Sequence, residues 1–128
     1  MLQSSIPEFQ HQEHQAWLKK IDFYQEQIQI FQKELSMVLH QHIDLFSIIE
    51  HVDEYRMILL KKLKKLDELR RQIILHEKNI AQTLQTDAIN LWDHMEVRAQ
   101  LEEFEKKYDS LKKNFRNFVA HHIGESTL

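Results

Sequence analysis

The sequence predicts an all-α fold, an antiparallel up-down-up bundle of three long helices, and three observations carry that prediction. Its 128 residues include one Gly and one Pro, too few of the residues that supply positive φ or a preset turn to build hairpins or a glycine-rich phosphate loop. Apolar residues recur at alternating spacings of three and four over three long stretches, the pattern of a buried helical seam. Short breaks in that period near residues 42–44 and 85–87 separate those stretches.

The first helix is expected over 6–41. Ser5-Ile6-Pro7-Glu8 has the S-x-x-E spacing of a capping box, and Pro is tolerated in a first turn. Trp17, Ile21, Tyr24, Ile28, Phe31, Leu35 and Val38 then form the seam. Phe23, Ile30 and Met37, seven apart on its flank, either widen the intramolecular stripe or present a second interface for self-association. The second helix is expected over 45–84 with Asp44 as its cap. Its seam of Ile48, Val52, Tyr55, Leu59, Leu63, Leu66, Leu69, Ile73 and Ile80 is less regular. The third, over 88–122, is capped at Thr86-Asp87, packs through Val97, Leu101, Phe104, Tyr108, Leu111, Phe115 and Phe118, and stops at Gly124. Similar lengths and short connectors favour one domain over 1–128 with neighbouring helices antiparallel.

Composition narrows function. Without cysteine there is no disulfide and no thiolate metal site. The formal charge of -3 argues against nucleic acid as a partner, since such domains carry a net basic footprint. The basic run 61–66 with Arg70-Arg71 reads instead as a solvated face opposite acidic residues such as Asp22, Glu26, Glu102, Glu103 and Glu105. Its longest central apolar run, 57–60, is far below the roughly 20 residues of a membrane span. Met1 to Ser5 shows neither a basic leader nor an apolar h-region, so a cytoplasmic address is expected. Ser47 and Ser110 lack the partners of a hydrolytic triad, and Glu26, Glu34 and Glu68 are too scattered for a di-metal carboxylate site. The expectation is a non-enzyme.

The nine histidines carry the most information. Counting outward along the first and third seams lands on His14 and His42, and on His94 and His122, so an imidazole stands at each end of each apolar seam. His51 and His76 take corresponding places on or beside the buried face of the second helix. With a rise of about 1.5 Å per residue, an up-down-up bundle sets His14, His76 and His94 at similar heights near one end. His42, His51 and His122 gather near the other. Glu13, Glu77, Asp93 and Glu96 lie beside the first group, Glu34 and Glu50 near the second, and His11 could replace or supplement His14. Three inward imidazoles with a carboxylate suit Zn²⁺ or another first-row divalent ion. The candidate metal ligands are therefore His11, His14, His76, Glu77, His94 and Glu96. The alternative is that these imidazoles are adaptable wet plugs at the seam ends, since no established metal motif such as H-E-x-x-H is present.

The succession His11-Gln12-Glu13…Trp17, Phe23-Tyr24…Glu26, Glu50-His51, His76-Glu77 and Asp93-His94…Glu96…Arg98…Glu102…Phe104-Glu105 resembles a group of small, uncharacterised all-helical bacterial proteins with no assigned activity. The resemblance implies a helical bundle and draws attention to His11, Glu26, His51, His76 and His94. Taken together, these readings lead to a non-enzymatic interaction or structural module that binds a second copy of itself or another helical protein and needs no cofactor. The alternative is a divalent-metal-binding bundle with a His/Glu site at one end.

Overall fold

In a computed structural model, the described backbone covers residues 2–42, 45–82 and 87–126, and the described side chains cover 8–42, 45–78 and 94–122. Three helices follow in order: α1 (Leu2–Gln41), α2 (Phe46–Gln82) and α3 (Asp87–Ser126). Each pair of helices is in contact. Bonded side-chain pairs reveal their directions. Between α1 and α2 the sequence separation falls from 66 for His11 and Glu77, through 48 for Asp22 and Arg70, to 42 for Gln25 and Asp67, as it must for antiparallel helices. Between α1 and α3 it stays between 80 and 85, from Glu13 and Arg98 to His42 and His122. The first and third helices therefore run parallel, which is the up-down-up topology.

Helix ends differ from expectation. Helix α1 begins at Leu2, so Ser5 does not cap it, and Pro7 lies inside the helix. Near an end whose first N–H groups have no helical acceptor anyway, the missing proline N–H forfeits one bond, to the residue 3 carbonyl. Helix α2 starts on the Leu45 carbonyl, which accepts from the N–H groups of Ile48 and Ile49; the expected caps Asp44 and Thr86 lie outside the described residues. Helix α3 does not stop at Gly124 but runs on to Ser126. Gly124 has no positive φ, so it ends nothing.

Most seam positions lie where the periodicity places them; Tyr55 and Leu63 of the second are partly buried, and the side chain of Ile80 lies outside the described residues. Ile21, Ile28, Phe31, Leu59, Leu66, Ile73, Leu101, Phe104, Tyr108, Leu111 and Phe115 are all buried. Tyr24 is only partly buried but packs on the rings of Phe104 and Tyr108 at 5.4 and 4.7 Å, and Phe118 gives up the last buried place to Val119. Phe23, Ile30 and Met37 are 50–53% exposed, so they do not widen the intramolecular stripe. The basic run is engaged within the bundle. Arg70 reaches Asp22 at 2.7 Å and Gln25 at 2.6 Å, Lys65 reaches Gln100 at 3.1 Å, and Lys62 lies over the Phe104 ring. Among the described residues, no helix is long and apolar enough to cross a membrane.

Candidate metal centre

Along the buried face of α1 the order is Gln10, His14, Trp17, Ile21, so the seam changes from apolar to polar one turn below Trp17. The parallel offset of α3 and the antiparallel register of α2 bring His94 and His76 to the same level. All three imidazoles are buried, His14 and His94 completely. His14 Nε2 lies 3.1 Å from His76 Nδ1 and 3.2 Å from His94 Nδ1, and the three candidate ligand nitrogens all fall within 4.8 Å of one another. A tetrahedral ion with metal–nitrogen bonds of about 2.0–2.1 Å separates its ligand nitrogens by about 3.3 Å. Two edges of the triangle already have that dimension.

The outer nitrogens face carboxylates. His94 Nε2 is 2.7 Å from Glu13 Oε1, an oxygen that Arg98 also grips at 2.5 Å. His14 Nδ1 is 3.3 Å from Glu77 Oε2, and Glu77 also takes His11 Nδ1 at 2.9 Å. Partial burial pushes the Glu13 carboxyl up, but its bonds from His94 and Arg98 more than offset this and its pKa is lowered. Glu77 is held low in the same way, by His11 and His14 against partial burial. Both side chains are therefore carboxylates that only accept.

That fixes the tautomers of two rings. In their neutral forms His94 donates from Nε2 and His14 from Nδ1, which leaves lone pairs on His94 Nδ1 and His14 Nε2, 3.2 Å apart. His76 can lend a proton to one of them but not to both. Burial pushes the His14 pKa down; the Glu77 carboxylate raises it, the His76 and His94 rings lower it further, and the net shift is downward. A proton is thus disfavoured there. A metal ion, which requires neutral imidazoles, is not.

Trp17 closes the core side of the triad, stacked on His94 with ring centroids 4.6 Å apart and 5.5 Å from His14. One turn before His14 on the same buried face of α1, Gln10 is 2% exposed and its Nε2 is buried with no hydrogen-bond partner.

Of the six expected ligands, His14, His76 and His94 converge. Glu77 stands behind His14, so it orients that ring and does not complete the triangle, and exposed His11 bonds Glu77 from outside. Glu96 is brought to neither: it is exposed and accepts from Gln100 one turn along its own helix. The side chain of Asp93 lies outside the described residues. At the opposite end, His42 Nε2 donates to the His122 carbonyl at 3.0 Å and His51 packs edge-on against Phe118. Among the described residues, His14, His76 and His94 form the one group of three or more such ligands. Two contributors carry weak signals in the sequence. Arg98 follows His94 by one turn and so shares its face, and Gln10 occupies a seam position where a polar residue breaks the apolar pattern. Comparison with protein-family profiles, with curated proteins and with solved structures finds no match to this chain.

Proposed function

We propose that this chain is a divalent-metal-binding helical bundle whose ligands are His14 Nε2, His76 Nδ1 and His94 Nδ1. The observation that carries the reading is the convergence of three buried imidazole nitrogens, His14 Nε2 lying 3.1 Å from His76 Nδ1 and 3.2 Å from His94 Nδ1, with Glu77 and Glu13 on the outer nitrogens of His14 and His94. Carboxylates that hold the far nitrogens of ligating imidazoles fix the ring orientation and raise ligand basicity, a recurrent arrangement at metal sites. Three nitrogen donors favour a borderline first-row ion, with Zn²⁺ foremost, over the oxygen-seeking Mg²⁺ or Ca²⁺. Non-enzymatic action is part of the proposal.

Zinc addition followed by thermal unfolding tests it. His76 and His94 are 62 and 80 residues from His14 along the chain, so the unfolded protein does not hold the three together. At free zinc about 100 times Kd the native state gains roughly 2.7 kcal/mol, or on the order of 10 °C in Tm for a domain of this size. The rise should vanish in His76→Ala and survive in His51→Ala. An unchanged Tm in the wild type, or equal loss in both variants, would reject the reading.

A second reading, self-association, is favoured by the exposure of Phe23, Ile30 and Met37 at heptad spacing along one face of α1. The two are compatible, because the triad is interior and the stripe is on the outside.

A further inference from the structure

A ligand set of three nitrogens leaves a tetrahedral ion one donor short, and the surroundings of the triad identify the kind of group that completes it. Resting on the metal-binding reading above, we propose that the fourth position is taken by a small exogenous monoanion or water, and that the Gln10 side-chain amide donates a hydrogen bond to it.

Among the described residues, the carboxylates closest to the triad are otherwise engaged. Glu13 and Glu77 hold the outer nitrogens of His94 and His14, and among the described residues no carboxylate joins the three imidazoles in the ligand group. Trp17 covers the core side. Gln10 lies one helical turn from His14 on the same buried face, over the turn toward which a helical side chain at position 14 leans. Its Nε2 is buried without a partner, although a buried amide N–H is costly to leave unpaired. An acceptor that arrives with the metal satisfies it.

Charge points the same way. Counting only the groups bonded to His14 and His94 and the arginine behind them, a divalent ion and Arg98 bring three positive charges against the two negative charges of Glu13 and Glu77, a balance that a monoanion neutralises. Sites with three protein ligands and one exchangeable position are the kind that bind and polarise small molecules, whereas four protein ligands make a closed structural site.

Cobalt(II) and azide give a direct test on the full, untagged chain. Cobalt reports its coordination through visible absorption, and azide can both ligate the metal and accept a hydrogen bond. One equivalent of Co²⁺ should bind, and azide should then change the spectrum saturably. Gln10→Leu should keep the cobalt stoichiometry but raise the azide half-saturation concentration roughly threefold to tenfold, the loss of one hydrogen bond. Gln10→Glu should supply its own carboxylate and make the cobalt spectrum insensitive to azide. A wild-type spectrum that azide leaves unchanged overturns the proposal, as does an unaltered azide affinity in Gln10→Leu. If a folded Gln10→Leu no longer binds cobalt, Gln10 is itself a ligand and the proposal also falls. Failure of the underlying reading looks different: the wild type would then bind no cobalt, or His76→Ala would bind it equally well. The azide response of the wild type decides the exchangeable position even if a Gln10 variant does not fold.

Discussion

Glu13 bridges an imidazole and a guanidinium: its Oε1 is 2.7 Å from His94 Nε2 and 2.5 Å from Arg98 Nη2. Arg98 cannot lose its proton, so it keeps Glu13 ionised and in place whether or not metal is bound. Glu13→Gln should therefore weaken zinc binding about 10-fold to 100-fold, because a carboxamide can hold the His94 ring in the wrong tautomer; competition with a chelating dye would measure this. An affinity equal to wild type would mean that Glu13 serves only Arg98. The metal-free protein should also lose stability on acidification. Folded His14 binds a proton less readily than the unfolded residue, whose ordinary pKa is 6.5. Stability is then full above about 6.5 and erodes below it, as the unfolded chain takes up the proton first. Glu13 and Glu77, lowered from 4.5, act in the same direction further down: their contribution is present above about 4.5 and is lost as pH falls through their lowered values. Urea midpoints measured from pH 8 to pH 5 should decline, and a flat profile would contradict a buried neutral His14.

Each helix carries an apolar seam, and the seam sets what a substitution costs. Phe104 is 3% exposed and packs against Tyr24 and Tyr108. Phe104→Ala should cost about 3–5 kcal/mol, since neighbouring helices cannot close the cavity. Met37 is on the opposite kind of face, half exposed, and Met37→Ala should change the unfolding free energy of the monomer by under about 0.5 kcal/mol. Chemical denaturation of both variants checks the contrast. Helix ends obey weaker rules. Ser5-x-x-Glu8 has the spacing of a cap yet lies within α1, and Gly124 lies within α3, because a long helix propagates through a residue whose local preference costs only about 1 kcal/mol.

Three slender helices, each of about 55–60 Å from its residue count, leave an elongated molecule with a high ratio of surface to core. The exposed row Phe23, Ile30 and Met37 extends over about 21 Å, roughly a third of α1. If a second copy covers it, the triple substitution Phe23→Gln, Ile30→Gln, Met37→Gln should convert the dimer to monomer in sedimentation analysis and leave the zinc-induced rise in Tm intact. A monomeric wild type at tens of micromolar would reject self-association.

The three helices, most of their seams and the level of the seam histidines are legible in the residue order alone. Periodicity fixes a residue's angle around its helix, and a rise of about 1.5 Å per residue fixes its height; those two coordinates sufficed to group His14, His76 and His94 and to separate them from His42, His51 and His122. They could not separate Glu77 from Glu96, which are both neighbours of the site in sequence yet end up behind His14 and on the outer surface. That choice depends on side-chain rotation and on how closely α1, α2 and α3 approach. The ligand nitrogens, the tautomers set by Glu13 and Glu77, and the unpaired amide of Gln10 were likewise decided only by the tertiary structure. A hydrogen bond is a matter of tenths of an ångström between atoms on different helices, and no spacing along one helix encodes it.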